Sequence, residues 1–491
     1  MKILFASSEV EPFSKTGGLA DVSHALPAEL ASRGHSLMVV TPQYAAVDAS
    51  KLKKLGDIRL RFPYGEERAV LRGTDWSVRH RVVFLDHPGF YRRKGIYQEG
   101  TEYPDNHRRF AFLAIGALSA AQVLEFDPDI VHLNDWQTAL AAVALARGYR
   151  GTSLGRAKSV LTIHNLAYQG IFPKVAMDEL GLPWELFTPE GVEFYDRLNF
   201  LKAGIVFSDA LTTVSKKYAR EIQTPELGFG LDAILSLRSS DLHGILNGVN
   251  YREWDPKSDP VIPQHFSATD LSGKERSKQE LLRRFGLESP PESARVPVFG
   301  MVSRLVAQKG VDLVVQALPW MLESDLYFVA LGTGEPGYEQ ALRQLQKRWP
   351  AKVAVKVEFQ RALSHLVEAG SDFFLMPSRY EPCGLNQMYS LRYGTVPIVR
   401  ATGGLDDTVM DVAAANGNGI KFGPYSASAL AAALHRALEL YAHPARLDAV
   451  RRQGMKANHS WAASAEQYEA LYRSLTKSAA PARAQARQRP G

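Results

Sequence analysis

The chain has 491 residues, of which 45% are hydrophobic and 22% charged, as in soluble globular proteins, and its length predicts two or three domains rather than one core. No apolar run reaches the roughly 18 residues of a membrane-spanning helix, and the single cysteine, Cys383, excludes an intrachain disulfide and fits a reducing cytoplasm. The net charge of +6 includes four cations of the tail 477–491, namely Lys477, Arg483, Arg487 and Arg489, and falls to +2 without them. The tail is therefore predicted to be a disordered basic end. The rest of the chain is nearly neutral, which does not favour a nucleic-acid-binding protein.

Short apolar runs alternate with helical patterns in both halves, which predicts two Rossmann-like, doubly wound α/β domains. The predicted strands of the first half are Ile3–Ser7, Leu37–Thr41, Val82–Leu85, Ile130–Leu133, Ser159–Ile163 and Ala210–Val214. Those of the second half are Val296–Val302, Leu326–Leu331, Val353–Val357, Phe373–Met376 and Val396–Val399. The helix after the first strand carries apolar residues at helical spacing and ends at Gly34.

The loop after the first strand reads Lys15-Thr16-Gly17-Gly18-Leu19-Ala20-Asp21-Val22 and opens this helix. Two glycines let the backbone approach a ligand, the helix N-terminus offers free amides, and Lys15 adds a positive charge. The combination suits a phosphate or a charged sugar nucleotide, although a Gly-Gly pair alone is commonly just a turn.

Two polar residues follow later strands of the first half. Asp135 comes after the strand 130–133 and His164 after the strand 159–163. Ligands of doubly wound sheets bind at the carboxyl ends of strands, so both residues are expected at the ligand-binding edge. Each also has a simpler interpretation, because a histidine there is often structural and Asp135 could cap the next helix.

The segment Tyr251–Pro297 lies between the two sets of strands and is rich in proline, serine and charge, which predicts a domain boundary. An amphipathic helix from Ser460 to Leu475 follows the last strand and is expected to cross back to the first domain. The predicted domains are therefore 1–245, completed by the helix 460–476, and 246–459.

Two cations are expected at the end of the first strand of the second half. Ser303-Arg304 ends that strand, and Lys309-Gly310 opens the following helix. Cations over a helix N-terminus suit a diphosphate, which Arg304 would bind as a planar fork and Lys309 as a point charge. The alternative is a solvated basic turn.

Glu381 follows the strand 373–376, in a loop that precedes a helix starting near Leu385. A carboxylate at this place could orient sugar hydroxyls or stabilise positive charge at a reacting carbon, although a lone loop glutamate is normally only solvated. Cys383 in the same loop is interpreted as a packing residue, because no activating partner is evident.

Residues 332–337 satisfy the pattern G-x-G-x-x-G after a strand, with Glu358 about 20 residues further on. This pattern would indicate a nicotinamide dinucleotide. The fingerprint normally occupies the first βα turn of its domain, however, and here it follows the second strand of the second domain.

Six motifs occur in order along the chain: Lys15–Val22, His164–Gly170, Asn247–Val249, Ser303–Gly310, Glu381–Leu385 and Thr402–Gly404. In this order they resemble the motifs of bacterial glycogen synthases and their starch synthase relatives. One such motif would be weak evidence, whereas six in the family's order are strong. The similarity spans roughly residues 1–476.

The resemblance implies a GT-B fold, in which two Rossmann-like domains face each other across a cleft. It implies transfer of glucose from ADP-glucose to the non-reducing end of an α-1,4-glucan such as glycogen, with retention of configuration. By resemblance, Arg304 and Lys309 bind the leaving ADP, Glu381 contacts the donor glucose, His164 lies beside it, and Asp135 lies near the acceptor. No cofactor and no metal are expected, because no cluster has ligand spacing.

The same resemblance carries over a set of substrate-binding positions: Lys15, Gly17, Gly18, Asp21, Tyr91, Asn165, Asn247, Phe359, Cys383, Gly384, Leu385, Thr402, Gly403 and Gly404. Tyr91 could instead be a packing anchor. Residues 358–361 depart from the family's Gly-Tyr-His-Glu, in which the tyrosine lies near the adenine. Phe359 can still stack on a base, but the nucleotide preference stays open. Tyr389 stands where the wider superfamily often has a second glutamate, and Asn250 replaces the usual aspartate.

Three other functions are alternatives to glycogen synthase activity. The first is a transferase of the same fold that uses UDP-glucose or another acceptor. The second is a glucan-binding protein without activity, against which the presence of Lys15, Arg304, Lys309 and Glu381 argues. The third is the oxidoreductase suggested by residues 332–337.

Overall fold

The computed structural model describes residues 1–149, 151–290, 295–358 and 360–477. The chain divides into two compact units. The first unit contains residues 1–214 and 219–248 together with the segment from Trp461 onward, and the second contains 215–218 and 249–460. Phe359 and the tail cations Arg483, Arg487 and Arg489 lie outside the described residues, so the predictions on them stay predictions.

The strands up to residue 248 are β1 (Lys2–Ala6), β2 (Ser36–Pro42), β3 (Lys53–Phe62), β4 (Gly65–Ser77), β5 (His80–Asp86), β6 (Gln98–Glu99), β7 (Thr101–Glu102), β8 (Ile130–Asn134), β9 (Lys158–Ile163), β10 (Ile171–Pro173), β11 (Glu193–Phe194), β12 (Arg197–Asn199), β13 (Ala210–Thr213) and β14 (Leu242–Gly244). The later strands are β15 (Val298–Val302), β16 (Tyr327–Leu331), β17 (Val353–Lys356), β18 (Phe373–Met376), β19 (Val396–Arg400) and β20 (Ile420–Phe422).

The α-helices are α1 (Gly18–Ser32), α2 (Pro88–Tyr91), α3 (Asn106–Val123), α4 (Leu140–Arg147), α5 (Ser153–Arg156), α6 (Ala176–Leu180), α7 (Phe200–Phe207), α8 (Lys216–Glu221), α9 (Asp232–Leu237), α10 (Ser272–Phe285), α11 (Val311–Met321), α12 (Pro336–Arg348), α13 (Arg361–Gly370), α14 (Asn386–Arg392), α15 (Gly403–Thr408), α16 (Ala427–Tyr441), α17 (Pro444–Lys456) and α18 (Trp461–Lys477). None of these helices is both long and apolar enough to cross a membrane.

The first unit is built on a nine-stranded sheet of order β14-β13-β9-β8-β1-β2-β5-β4-β3. Its strands are parallel from β14 to β5, and β4 and β3 add an antiparallel hairpin at one edge. The central strands are mostly apolar and are buried on both faces, as parallel strands covered by helices must be.

Helix α18 packs on the sheet of the first unit. Trp461, Tyr468 and Tyr472 are buried in one hydrophobic cluster with residues of β1, β2 and α1. The Tyr472 hydroxyl lies 2.6 Å from Nδ1 of His132, a buried side chain of β8. The last helix of the chain is therefore part of the core of the first unit, although more than 200 residues of the second unit precede it.

The second unit has a six-stranded parallel sheet of order β17-β16-β15-β18-β19-β20. One hydrophobic cluster joins α11, α12 and α16 to one face of this sheet, and a second joins α10 and α13 to the other face. Helix α10 comes from the segment Tyr251–Pro297, so this stretch, predicted as a boundary, contributes to the core of the second unit.

Each predicted strand overlaps an observed one, and the doubly wound α/β class of both units is confirmed. The β3–β4 hairpin was not predicted. Its residues alternate between buried and exposed, because one face of this edge packs on α3 and the other is solvated. That alternation differs from the continuous apolar runs by which the parallel strands were found.

Candidate functional site

In the second unit, two loops meet where the strand order reverses. The chain runs from β15 to β16 on one side and returns to β18 on the other, so the loops after β15 and β18 are neighbours at the carboxyl edge. Doubly wound sheets bind their ligands at such a switch point. The first loop carries Arg304 and Lys309, and the second carries Glu381.

Lys309 and Glu381 form an ion pair. The Lys309 Nζ lies 2.6 Å from Oε2 of Glu381, and the hydroxyl of Ser378 donates to the same oxygen at 3.0 Å. The Glu381 side chain is 7% exposed and that of Lys309 is 19% exposed, so the pair is largely shielded from water. Arg304 is exposed and forms no ion pair with any described residue. Of these two cations, Lys309 is therefore paired with a carboxylate, whereas Arg304 is not paired with any described one.

Hydrogen bonds to main-chain carbonyls hold these two loops together. The amide of Arg379 donates to the carbonyl of Gln308 at 2.8 Å, and the amide side chain of Asn386 donates to the carbonyl of Val302 at 2.7 Å. The first bond joins the loops directly, and the second ties the start of α14 to the end of β15. The position of Glu381 relative to Lys309 is therefore set by the backbone as well as by charge.

Gly403 and Gly404 permit a third segment to approach the Glu381 loop. The Gly404 amide donates to the carbonyl of Glu381 at 3.1 Å. A Cβ atom at Gly403 would lie 1.8 Å from the Glu381 oxygen, and one at Gly404 would lie 1.9 Å from the Cys383 oxygen. Only glycine fits either place. Thr402 is buried beside them, so residues 402–404 pack against the loop that carries Glu381.

Cys383 and Gly384 are buried in the same loop. Their carbonyls accept hydrogen bonds from the side chain of Gln387 at 3.0 and 3.1 Å. The interpretation of Cys383 as a packing residue agrees with this burial. Leu385 is half-buried at the start of α14.

The first unit has an equivalent switch point, between β1 and β8. Asp135 follows β8 directly and adopts a left-handed backbone conformation with φ of 54°. Its Oδ1 accepts the backbone amide of His164 at 2.7 Å. The His164 Nε2 lies 2.9 Å from Oδ1 of Asn134. The structure therefore brings together Asp135 and His164, which the sequence separates by 29 residues.

Burial controls the protonation of both residues. It raises the pKa of Asp135 to about 7, although amides of His164 and Asn165 that bond the carboxylate act in the opposite direction. Burial lowers the pKa of His164 to about 3, so this imidazole is neutral at physiological pH.

The tautomer of His164 follows from its neighbour. The side-chain amide of Asn134 donates to the carbonyl of Ala6 at 2.9 Å, so its oxygen is the atom that faces His164. That oxygen can only accept, and Nε2 of His164 must therefore be the protonated nitrogen. In a neutral imidazole the other nitrogen, Nδ1, is then a hydrogen-bond acceptor.

The Lys15–Val22 loop binds an acidic group of the protein itself. The carboxylate of Glu9, which is 3% exposed, accepts the backbone amides of Thr16 and Gly17 and the Thr16 hydroxyl. Two amides that the sequence suggested for an external anion are thus bound internally. Lys15 lies 2.6 Å from Asp21, so its charge is also partly compensated.

Sequence reasoning missed Glu9 and Tyr97. The Tyr97 hydroxyl donates to Glu9 at 2.5 Å and lies 2.9 Å from the hydroxyl of Ser8. Tyr91, the aromatic residue chosen from the sequence, has no exposed surface, and its hydroxyl donates to the carbonyl of Arg109 at 2.8 Å. The structure favours the packing interpretation of Tyr91. No local pattern distinguished the two tyrosines, since their burial depends on distant segments.

Several buried side-chain polar atoms lack a hydrogen-bond partner within the described ranges, and two of them lie in the motifs. They are Oδ1 of Asn247, near the end of the main segment of the first unit, and Oγ of Ser303, directly after β15. Buried polar atoms are nearly always satisfied, so an orphaned one needs a cause. Both belong to motifs that the sequence marked as ligand-binding. Asn165, by contrast, bonds the amide of Ala167 at 3.1 Å.

The glycines at 332 and 334 have a structural cause. A Cβ atom at Gly332 would lie 1.9 Å from the carbonyl oxygen of Ser303, and one at Gly334 would lie 2.2 Å from that of Leu305. These glycines let the turn after β16 pack against the turn after β15. The dinucleotide interpretation is not needed to explain them.

Across the parts of the chain that the structure describes, no group of three or more His, Cys, Asp or Glu side chains converges in a way that could hold a metal ion.

Comparison with known proteins gives consistent matches over nearly the whole chain. Residues 2–237 match the family of starch synthase catalytic domains, and residues 287–453 match the glycosyl transferases group 1 family. A glycogen synthase of Myxococcus xanthus (strain DK1622) is 58% identical over 480 residues, which cover 97% of this chain and 99% of that protein. A glycogen synthase of Anaeromyxobacter sp. (strain Fw109-5) is 51% identical over 485 residues, with 97% and 99% covered.

Solved structures give the same picture. The catalytic domain of starch synthase IV from Arabidopsis thaliana, solved with ADP and acarbose, has a TM-score of 0.88 and 33% identity, covering 97% of this chain and 99% of that one. A sucrose-phosphate synthase from Thermosynechococcus elongatus has a TM-score of 0.62 at 16% identity over 97% and 100% of the two chains, a likeness of fold alone.

Proposed function

The chain belongs to the family of bacterial glycogen synthases and starch synthases, with the two-domain GT-B fold, and we propose on this basis the reaction and the site that follow. It is a retaining glycosyltransferase with glycogen synthase activity. The donor is ADP-glucose, and the glucose is added to the non-reducing end of an α-1,4-glucan. The prediction that the two domains face each other across a cleft belongs to this proposal.

The observation that supports the donor site best is the grouping of Arg304, Lys309 and Glu381 at the switch point of the second unit. As the bond between the anomeric carbon and the phosphate oxygen breaks, negative charge grows on ADP. Arg304 is exposed and forms no ion pair with a described residue, so it is available for the diphosphate. Lys309 holds Glu381 in place at 2.6 Å, which orients a carboxylate towards the donor glucose. Cations fixed before the reaction stabilise this charge without reorganisation.

The reaction that fits retention is attack from the side of the leaving group. The 4-hydroxyl oxygen of the glucan forms the new bond to the anomeric carbon while the bond to the phosphate oxygen breaks. The hydroxyl proton passes to the released ADP oxygen, so atoms and charge balance. No residue is assigned as a covalent nucleophile.

The first unit supports the roles assigned to His164 and Asp135. A neutral imidazole with a free lone pair on Nδ1 suits a sugar hydroxyl, which would donate a hydrogen bond to it. Asp135 fixes the backbone of His164 at 2.7 Å and lies nearer the acceptor in this proposal. The loop of Lys15, Gly17 and Gly18, with Asp21, would complete the site when ligands bind.

We expect no metal and no cofactor in this reaction, since Arg304 and Lys309 supply the positive charge that a metal ion would otherwise provide. The measurement is turnover in the presence of a chelator. Activity that disappears with EDTA and returns with Mg²⁺ or Mn²⁺ would overturn this expectation. A reducing cytoplasm is the proposed compartment, in keeping with the single buried Cys383.

The decisive test measures turnover with ADP-glucose beside UDP-glucose, with glycogen as acceptor, and determines the anomeric configuration of the new bond by NMR. Preferred use of ADP-glucose with an α-linked product supports the proposal. Preferred use of UDP-glucose would support the first rival function. Binding of glucan without turnover of either donor would support the inactive binding protein.

A further inference from the structure

The first unit carries three exposed aromatic side chains on adjacent loops, which we call the aromatic platform. Its members are Tyr168, Tyr195 and Phe229, and 55%, 79% and 38% of their respective surfaces are exposed. Side chains of this size usually lie in cores, and grouped exposed aromatics mark binding surfaces. Tyr168 lies within the motif His164–Gly170, but none of the three residues was assigned a role at the site.

Specific contacts bring these three loops together. The side chain of Gln169, next to Tyr168, donates to the carbonyl of Phe229 at 3.0 Å. Beside Phe229, an added Cβ at Gly230 would lie 3.6 Å from Cε2 of Tyr195 and 2.9 Å from Cζ of Phe194. The three aromatic residues therefore belong to one surface.

The base of the platform is rigid. The buried side chain of Asn199 donates to Oε1 of Gln169 at 2.6 Å and accepts the amide of Lys202 at 2.9 Å, capping α7. The Lys202 Nζ donates to the carbonyls of Pro189 and Glu193, both at 2.5 Å. This network fixes the loop after β9 and the β11–β12 hairpin, so the aromatic rings project from a preorganised base.

The backbone conformation at Tyr195 and Phe229 is unfavourable for an aromatic residue. Tyr195 and Asp196 form the two-residue turn between β11 and β12 with φ of 50° and 59°, and Phe229 has φ of 48°. Turns with two positive φ values favour Asn-Gly or Asp-Gly, and bulky residues there are outliers. Asparagine or glycine would fold more easily at these places. Strain of this kind is found where a side chain serves binding.

The chemistry of the platform side chains suits an uncharged ligand. The charge of Asp196, at the tip of the hairpin, is compensated by Lys174 at 2.8 Å. Flat rings with a hydroxyl at the edge suit sugars, whose faces are apolar and whose rims are polar. Tyr168 follows His164 by four residues, so the platform begins at the proposed reaction site.

We propose that the aromatic platform binds an α-1,4-glucan chain through glucose units that stack on Tyr195 and Phe229, beyond the unit that reacts. The inference rests on the proposed function for the identity of the polymer. The platform holds the acceptor near His164 and raises affinity for long chains, and it takes no part in bond making.

The test uses Tyr195→Asn and Phe229→Asn in the full-length protein. Asparagine tolerates positive φ, so both variants keep the fold while they lose the ring. Trp320→Ala is the matched control, because Trp320 is an exposed aromatic (58%) of the second unit. Migration in native gels with and without glycogen measures binding without turnover. Kinetics with glycogen, maltotriose and ADP-glucose measure the effect on the reaction.

We expect each asparagine variant to weaken glycogen binding and raise the KM for glycogen roughly 3- to 10-fold, the range of one aromatic contact. The kcat and the KM for ADP-glucose should stay at parental values, and the KM for maltotriose should change less, because maltotriose offers fewer glucose units to stack on the rings. The control should match the parent.

Three results would overturn the inference. The first is unchanged glycogen retardation and KM in both variants. The second is an equal loss in Trp320→Ala. The third is a parental dimer that the variants dissociate in gel filtration, which would make the platform a subunit interface. The parent protein could be retarded by glycogen and yet turn over no sugar nucleotide. If the variants then lost this retardation, glucan binding by the platform would be supported and the proposed enzymatic function would be rejected.

Discussion

Arg304 and Lys309 carry the same charge but differ in their surroundings. Lys309 compensates the shielded carboxylate of Glu381 at 2.6 Å, whereas Arg304 is exposed and forms no ion pair with a described residue. At the scale of single residues, both cations are expected to act in the reaction, but only Lys309 is expected to stabilise the fold. Removing either cation should affect the leaving ADP, but removing Lys309 should also leave the buried charge of Glu381 without its ion-pair partner.

We predict that Arg304→Ala and Lys309→Ala each lower kcat on the order of 10²–10³, the usual cost of losing a preorganised charge-stabilising group. Lys309→Arg should recover only part of the loss, since a planar fork does not replace a point charge. Steady-state kinetics with ADP-glucose and glycogen on folded variants measure this. Alanine variants with kcat within about threefold of the parent would contradict the leaving-group role.

Thermal unfolding of the same variants provides the second readout. Lys309→Ala should lower the free energy of unfolding by about 3 kcal/mol, the typical cost of breaking a buried ion pair. Arg304→Ala should change it by less than about 0.5 kcal/mol, as for surface substitutions. Equal losses of stability in the two variants would mean that the ion pair of Lys309 with Glu381 does not stabilise the fold.

A further prediction concerns the pH dependence of the first unit. Burial raises the pKa of Asp135 to about 7, so its carboxylate ionises within the assay range. Its ionised form binds the amide of His164 more strongly, so kcat/KM should rise as pH increases through about 7. Asp135→Asn should remove this inflection and lower kcat/KM above it. A variant with the parental inflection would assign it to another group.

At the scale of elements, an aromatic stack connects three segments of the second unit. The ring of Trp254 lies 3.8 Å from His365 of α13 at 14° and 3.9 Å from Tyr389 of α14 at 3°. Nδ1 of His365 lies 2.8 Å from Oδ2 of Asp259. Helix α14 begins directly after the Glu381 loop, so the stack stabilises the helix to which this loop connects.

We predict that this stack makes stability fall at alkaline pH. Burial alone would lower the pKa of His365, but hydrogen bonds and charges from Asp259 and Glu253 outweigh it and raise the pKa to about 9. A pKa raised above its unfolded value of 6.5 gives stability that is complete below pH 6.5 and is lost as pH rises through 9. The change should be on the order of 3 kcal/mol at most.

Urea unfolding between pH 6 and 10 measures this loss. His365→Gln should unfold at lower urea than the parent at pH 6.5, and its stability should depend less on pH between 6.5 and 9. A parent protein whose stability is constant over this range would show that His365 is not the charged partner of Asp259.

At the scale of the whole molecule, the matched motifs are divided between the two units. Lys15 and Gly17 belong to the first unit, and Arg304 and Lys309 to the second. The chain passes from one unit to the other after Gly248 and returns after Ser460. The proposed function assigns the donor mainly to groups of the second unit and the acceptor to groups of the first.

We therefore predict that the domains close on their ligands, since closure would bring Lys15 and the Gly17–Gly18 loop to a donor held by Arg304 and Lys309. Small-angle scattering with and without ADP and a maltooligosaccharide should show a smaller radius of gyration with both bound. Lys309→Ala should need more ADP for the same change. Identical profiles at saturating ligand would remove the support for closure.

The strands of both sheets and the loops that follow them can be predicted from residue types alone. Parallel strands are continuous apolar runs, and ligand-binding loops follow such runs directly, so the order of residues is enough to place Asp135, His164, Arg304 and Glu381 at strand ends. The six motifs also identify the family. These features are local, because each depends on the residue types within a few positions.

Which residues meet depends on the packing of the whole chain. Glu9 binds the amides of Thr16 and Gly17, and Tyr97 rather than Tyr91 reaches Glu9, because β1 and the later loops are brought together by the sheet. The aromatic platform likewise joins residues up to 61 positions apart, and its exposure cannot be read from hydrophobicity, which predicts aromatic rings to be buried. Burial and partnership are set by segments far away in the sequence, so only the folded protein reveals them.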